Sequence, residues 1–393
     1  MTGTFPLASS TWDDEEIAAI LEVIESGRFT MGTQVAAFES EFASQIGSKF
    51  AVMVNSGSSA NLAMVAACRY RHETLLPAGS EVIVPAVSWS TTYYPITQLG
   101  GTLKFVDVDK NTLNIEVTSI EAAITKNTKA IFGVNLLGNP ANWSEIRKIA
   151  DEHNLLLLED NCESLGSSLD GINSGANGFA GTFSSYFSHH ISTIEGGMIV
   201  TDDESLFQTL KSIRAHGWTR DLPDDNFVFK KTGAPWDDLF RFVLPGYNLR
   251  PIEFEAAIGR IQLRKLENFV SVRRNNAEIF RNLTSDLKSY TFQKEHGKSS
   301  WFGFSIILED KLINKREKLL TVLQSAGIET RPIVAGNFTR NPVIHHLEHA
   351  EIGDLPNSDL VHDQGFFVGN HHFDLKEKLE KLVQILDDFE RCN

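Results

Sequence analysis

The chain has 393 residues, and 51 Asp and Glu against 36 Lys and Arg leave a formal net charge of −15. A nucleic-acid partner needs a basic face that releases counterions, so this balance points to small-molecule chemistry instead. With 42% hydrophobic and 22% charged residues, the composition is that of a globular protein long enough for two unequal domains.

No run of about 18 apolar residues suggests a membrane span, and the start Met1-Thr-Gly-Thr-Phe-Pro-Leu-Ala8 lacks the charged end and apolar core of an export signal. A cytoplasmic location without membrane partners is therefore expected. Cys68, Cys162 and Cys392 are far apart and form no C-x-x-C, which leaves no disulfide framework and no set of four thiolate ligands.

Helical periodicity opens the chain at about 13–26 and 35–46. Short, nearly continuous apolar runs then alternate with helical patterns. The strands are Phe50-Ala-Val-Met-Val, Glu81-Val-Ile-Val, Leu103-Lys-Phe-Val-Asp-Val, Lys129-Ala-Ile-Phe-Gly-Val and Leu155-Leu-Leu-Leu-Glu-Asp; the helices fall at 58–71, 117–125 and 142–153. Strands apolar on both faces belong to sheets covered by helices on both sides, so the class is α/β with a mainly parallel sheet. Met198-Ile-Val-Thr reads as a further strand and 203–215 as a helix. Trp218 to Tyr247 reads as a long ordered loop, of the kind that covers a functional site. A long helix from Ile252 through Phe280 leads into a smaller domain with strands near 302–307 and 328–332 and helices near 314–326 and 374–391. The polar, His-rich stretch 340–372 is expected to be loop. The domain division is 1–250 for the large unit and 251–393 for the linking helix and smaller unit.

Ser56-Gly57-Ser58-Ser59 follows a strand and opens a helix, where free amides and the helix dipole favour a phosphate, although an ordinary capped turn has the same pattern. Asp160 ends a buried strand at the edge where open α/β sheets bind ligands, and either faces a ligand or caps the next segment. Glu163 could complete a capping box or face the same ligand. His189 and His190 follow a strand-like run, so one can face a pocket and the other a wall. Near neutral pH an unperturbed imidazole works as acid or base. His345-His-Leu-Glu348-His349 fits H-x-x-E-H, but it follows Pro342 in an expected loop with no third ligand, so no metal is expected.

Several stretches together resemble the DegT-type sugar aminotransferases, fold-type I enzymes that use vitamin B6. They are Ser56-Gly57-Ser58, Trp89, Asp160-Asn-Cys-Glu163, Thr182-Phe-Ser184 with the histidines and Glu195-Gly-Gly, and Gly246-Tyr-Asn248-Leu-Arg250-Pro-Ile-Glu. In that family a lysine follows Thr-Phe-Ser after four residues; here His189 occupies its place. A lysine amine condenses with the aldehyde of pyridoxal phosphate, whereas an imidazole cannot form a stable imine but can move protons. The departure resembles the 3-dehydratase branch of the family, and the cysteine count excludes its iron–sulfur members.

This resemblance implies an aspartate-aminotransferase-like fold and a pyridoxamine 5'-phosphate/pyridoxal 5'-phosphate cofactor. It also implies a GDP-linked 4-keto-6-deoxy sugar that loses its C3 hydroxyl, with L-glutamate restoring the cofactor amine. His189 would be the catalytic group. Gly57, Ser58 and Ser184 would hold the cofactor phosphate, Trp89 would stack on the ring, Asp160 would meet its nitrogen, and Glu163 would lie near it. Asn248 would reach a neighbouring subunit's phosphate in a homodimer with shared active sites. Gly27, Arg28, Phe29, Thr30, His216, Arg220, Arg250 and Glu329 would contact the nucleotide sugar or glutamate. A C4 aminotransferase, a dehydratase for another nucleotide-linked sugar, and a B6-binding scaffold without catalysis are the alternatives.

Overall fold

The computed structural model describes residues 5–393; Met1 to Thr4, part of the start read for an export signal, lie outside the described residues. The elements run α1 (Asp14–Ser26), α2 (Thr33–Ile46), β1 (Phe50–Val54), α3 (Gly57–Tyr70), β2 (Glu81–Pro85), α4 (Ser90–Gln98), β3 (Thr102–Val106) and α5 (Val117–Ala123). They continue with β4 (Thr128–Val134), α6 (Trp143–His153), β5 (Leu156–Asp160), β6 (Ser168–Leu169), β7 (Ile172–Asn173), β8 (Ala180–Ser184), β9 (Gly197–Thr201), α7 (Glu204–Arg214) and α8 (Pro235–Asp238). The rest is α9 (Glu253–Leu283), β10 (Tyr290–Phe292), β11 (Gly303–Leu308), α10 (Arg316–Ser325), β12 (His349–Glu351), α11 (Pro356–Gln364), β13 (Gly365–Gly369) and α12 (Lys376–Cys392).

Eight strands form one sheet in the order β1-β9-β8-β5-β4-β2-β3-β12. All neighbours are parallel except β9, which runs antiparallel to both β1 and β8. The apolar runs lie in this sheet because helices cover both faces: α3, α4 and α7 pack over one core, and α5 and α6 over another. Trp143 at the start of α6 lies so close to Gly133 of β4 that a Cβ there would stand 2.6 Å from its ring. Local chemistry sets the helix ends. Asp13 and Glu16 form a reciprocal capping box at α1, which stops at Gly27 in the left-handed region.

The 31-residue α9 bridges two cores, with Ala256, Leu263, Leu266 and Val270 on the large sheet side and Ala277 and Phe280 against the smaller sheet β10-β11-β13. The expected strand at 328–332 is absent. Ile328 and Arg331 make only single bridges, to Phe5 and Phe367, because Pro332 has no N–H to continue a ladder. The stretch 340–372 is not loop throughout. Asp107 accepts bonds from the N–H groups of Asn357 (3.0 Å) and Ser358 (2.8 Å) and so caps α11. The apolar run Phe366-Phe-Val then pairs with β11 as β13. No helix among the described residues is long and apolar enough to cross a membrane.

Candidate active site

The carboxyl ends of β4, β5 and β8 open, through Val134, Asp160 and Ser184, into a cavity of about 590 Å³. Its other walls are the turn Ser56–Ser58 after β1, Ser88 to Thr91 after β2, the segment Tyr186–His189, and Phe302, Arg331 and Phe367 from the C-terminal part. Ser56 caps α3 by accepting from the Ser59 N–H at 3.0 Å. The Gly57 and Ser58 N–H groups, at the first two helical positions, have no intrahelical acceptor. Gly57 is required by close approach: a Cβ would lie 2.5 Å from Ser184 Cβ and 2.9 Å from Cys162 Sγ.

Asp160 is buried and held from three sides. Its Oδ2 accepts from Asn61 Nδ2 and Thr92 Oγ1, both at 2.8 Å, and its Oδ1 from the Cys162 N–H at 3.1 Å. Asn61 is fixed in turn, because its Oδ1 accepts from Thr182 Oγ1 at 2.6 Å. Glu163 Oε2 accepts from the Leu137 N–H at 3.0 Å. Burial pushes this carboxyl up to about 7; the Leu137 N–H opposes the shift and the Asp160 charge adds to it. Trp89, the residue before α4, stands 58% exposed at the rim.

The two histidines separate. His189 lines the cavity, its ring packed on Phe302 at 5.3 Å and Tyr186 at 5.9 Å, with Nδ1 buried and without a partner among the described residues. Burial, and then the positive charge of Arg273, push its imidazole down to about 4. His190, 1% exposed, turns away and bonds the Ser300 carbonyl through Nε2 at 3.1 Å.

Four of the residues expected at the substrate gather elsewhere. Arg28, Thr30, Arg220 and Arg250 line a second cavity of about 530 Å³, with Lys211 and Arg214, that shares no lining residue with the first. Arg214 is neutralised by Glu39 at 2.5 Å, and Arg220 lies over the Trp218 ring at 3.8 Å. Asn248 adjoins this cavity through its Oδ1, which accepts from Arg250 Nε at 3.0 Å. Gly27 ends α1, and Phe29 stacks on Phe254 at 5.7 Å. His216, at φ +63°, packs on Trp218. Glu329 reaches neither cavity: its carboxylate accepts from the Leu7 N–H at 2.9 Å. Sequence reading missed Arg331, the cation at the mouth of the first cavity, because nothing local marks it and only the Arg331–Phe367 bridge carries it there.

His345 and His346 end a 3-10 turn while His349 starts β12, so the H-x-x-E-H residues do not share a helix. Among the described residues no group of three or more His, Cys, Asp or Glu is placed to hold a metal. The first cavity does fit pyridoxal or pyridoxamine phosphate. A helix start stripped of side-chain bulk suits a phosphate, and the anchored Asp160 suits a protonated ring nitrogen. His189 also lines this cavity, and among the described residues its buried Nδ1 has no hydrogen-bond partner.

A model of the DegT/DnrJ/EryC1/StrS aminotransferase family matches residues 10–387, and the chain belongs to that family. Within it, the GDP-4-keto-6-deoxy-D-mannose 3-dehydratase of Yersinia pseudotuberculosis is 50% identical over 97% of this chain and 98% of its own. A crystal structure of GDP-4-keto-6-deoxymannose-3-dehydratase with a trapped PLP-glutamate geminal diamine superposes with a TM-score of 0.96, at 50% identity over 98% of this chain and 100% of that one. A histidine-to-asparagine variant of such an enzyme, with bound GDP-perosamine, has the same identity and coverage and a TM-score of 0.95.

Proposed function

We propose that the chain is a B6-dependent GDP-4-keto-6-deoxy-D-mannose 3-dehydratase, which removes the C3 hydroxyl of the sugar while L-glutamate renews the cofactor amine and ammonia is released. The observation that carries this reading is His189, an imidazole rather than a lysine, in the same cavity as the anchored Asp160, within a chain half identical to such enzymes along nearly its whole length. When bound, pyridoxamine phosphate supplies the amine that joins the sugar ketone and a ring that accepts electrons.

The protein's own groups do the rest. The Gly57 and Ser58 amides and the Ser58 and Ser184 hydroxyls hold the phosphate. Asp160 keeps the ring nitrogen protonated, and its three hydrogen-bond donors fix the carboxyl group in place for this task. Trp89 covers the ring from the rim. His189, neutral at physiological pH, takes the methylene proton and passes it to the departing C3 hydroxyl. Arg331 at the mouth offers glutamate a two-pronged carboxylate contact.

The basic cavity around Arg28, Arg220 and Arg250 suits the nucleotide diphosphate of a substrate whose sugar lies in a second copy's active site, with Asn248 directed to that copy's phosphate. Large exposed apolar side chains, among them Trp236 (84% exposed), Phe240 and Phe242, support a homodimer. The cytoplasm, where nucleotide sugars are built, is the compartment implied.

The test incubates purified protein with pyridoxamine phosphate, glutamate and the GDP-linked 4-keto sugar. A 3-deoxy product with stoichiometric ammonia is expected. A 4-amino sugar without ammonia release would establish the transferase alternative instead.

A further inference from the structure

Arg273, on α9, is 3% exposed, yet among the described residues its guanidinium forms no ion pair. Its Nη1 donates to the backbone carbonyls of Phe302 (3.2 Å) and Asn370 (2.5 Å), and among the described residues its buried Nε has no partner. The contrast is Arg214, equally buried and neutralised by Glu39. A buried cation without an acid is costly to keep, and such a group persists where its charge has a use. Here the charge acts on the imidazoles of His189, His190, His371 and His372. Phe302, whose carbonyl Arg273 holds, is also the ring against which both His189 and His190 pack.

We propose that Arg273 is a positioning residue for the proton transfer: its unpaired guanidinium keeps His189 neutral between turnovers and drives the proton off it once taken. The inference rests on His189 being the base. An imidazole must be neutral to accept the methylene proton. Once protonated, it lies in the field of a fixed positive charge, so it is a stronger acid than free imidazolium and gives the same proton to the C3 oxygen as that bond breaks and water leaves. One proton enters His189 and one departs, so the residue ends the cycle as it began. The other charged groups around His189 are Asp160, Glu163, Glu195 and Arg331 on the cavity side, with His190 and Arg274 behind it. Burial, and after it the charge of Arg273, leave the imidazole at about 4.

The experiment is a pH titration of the cofactor-free, full-length protein labelled with 15N-histidine, with the His189 signal assigned by its loss in His189→Gln. Its midpoint should fall near 4. In Arg273→Gln, which can still donate to the carbonyls but carries no charge, it should rise by about one unit; in Arg273→Lys it should stay near the unaltered value. The acid limb of kcat in the loaded enzyme should move with it. A midpoint at or above the free-imidazole value of roughly 6.5 in the unaltered protein overturns the proposal whatever the variants do. So does an unmoved midpoint in a folded Arg273→Gln. A raised midpoint with an unmoved rate profile also overturns it, by removing His189 as the base on which it rests.

Discussion

Replacing Asp160 by asparagine separates the two jobs of this carboxylate. Its Oδ2 accepts two donors, Asn61 Nδ2 and Thr92 Oγ1, at 2.8 Å each. An amide nitrogen there meets both. Thr92 can turn its hydroxyl to accept, since Ser88 Oγ at 2.8 Å can serve as donor or acceptor. Asn61 can turn its amide only if Thr182 Oγ1 accepts from it and gives its own proton to the Glu159 carbonyl at the longer 3.2 Å. This weaker arrangement costs at most the penalty of one unmatched donor pair, about 1–3 kcal/mol of stability. The effect on chemistry comes from losing a charge-assisted bond to the ring nitrogen, worth about 1.5–3 kcal/mol, or roughly a 10- to 150-fold slower half-reaction with glutamate. The assay is a single-turnover reaction at saturating cofactor, followed by cofactor absorbance, with denaturant unfolding run in parallel. An unchanged half-reaction rate in a folded Asp160→Asn would refute the placement of the ring nitrogen at Asp160.

Gly57→Ala should weaken cofactor binding at least about tenfold and cost about 1–3 kcal/mol by overpacking, since the new Cβ would lie 2.5 Å from Ser184 Cβ; equilibrium dialysis measures the first, and adding Ser184→Gly should restore part of the stability but not the binding, because it also removes a phosphate-holding hydroxyl. His190→Ala should lower stability by about 1–3 kcal/mol while retaining the glutamate half-reaction, whereas His189→Ala should keep the fold and abolish turnover; the reverse pattern would move the base by one residue. Glu163 is raised to about 7 in the folded protein. Its native environment therefore favours the protonated form, and the stability this contributes is fully present below the unfolded value near 4.5 and lost as pH rises through about 7. Glu163→Gln should flatten that decline, giving on the order of 2–3 kcal/mol higher stability than the unaltered cofactor-free protein at pH 8 but little difference at pH 4, as read by urea unfolding at both pH values.

The large sheet was legible because its strands are buried on both faces. A run such as Leu156-Leu-Leu-Glu-Asp is almost wholly buried, with no face left to solvent, and the helices α3 and α6 between the runs carry their own caps, Ser56 and Asn142. The small sheet was less so. β13 lies inside a polar, His-rich stretch, and its apolar core Phe366-Phe-Val is too short to signal a strand without β11 beside it. At 328–332 the β-like composition misled, since Pro332 limits the segment to isolated bridges.

The sequence by itself determined the chemical vocabulary. A histidine stands where the family carries lysine, a carboxylate ends a buried strand, a side-chain-free turn opens a helix, and three scattered cysteines offer no cluster. These are local facts, set by residue type and by spacing within a single strand–turn–helix unit. Only the tertiary structure decided which histidine faces the cavity, that Arg331 stands at its mouth, and that Arg28, Arg220 and Arg250 meet in a different cavity. It also set Arg273, without an acid partner among the described residues, behind His189. Those relations join residues far apart in the chain, and they arise when α9 and the two sheets pack and shut water out, which no short-range pattern encodes.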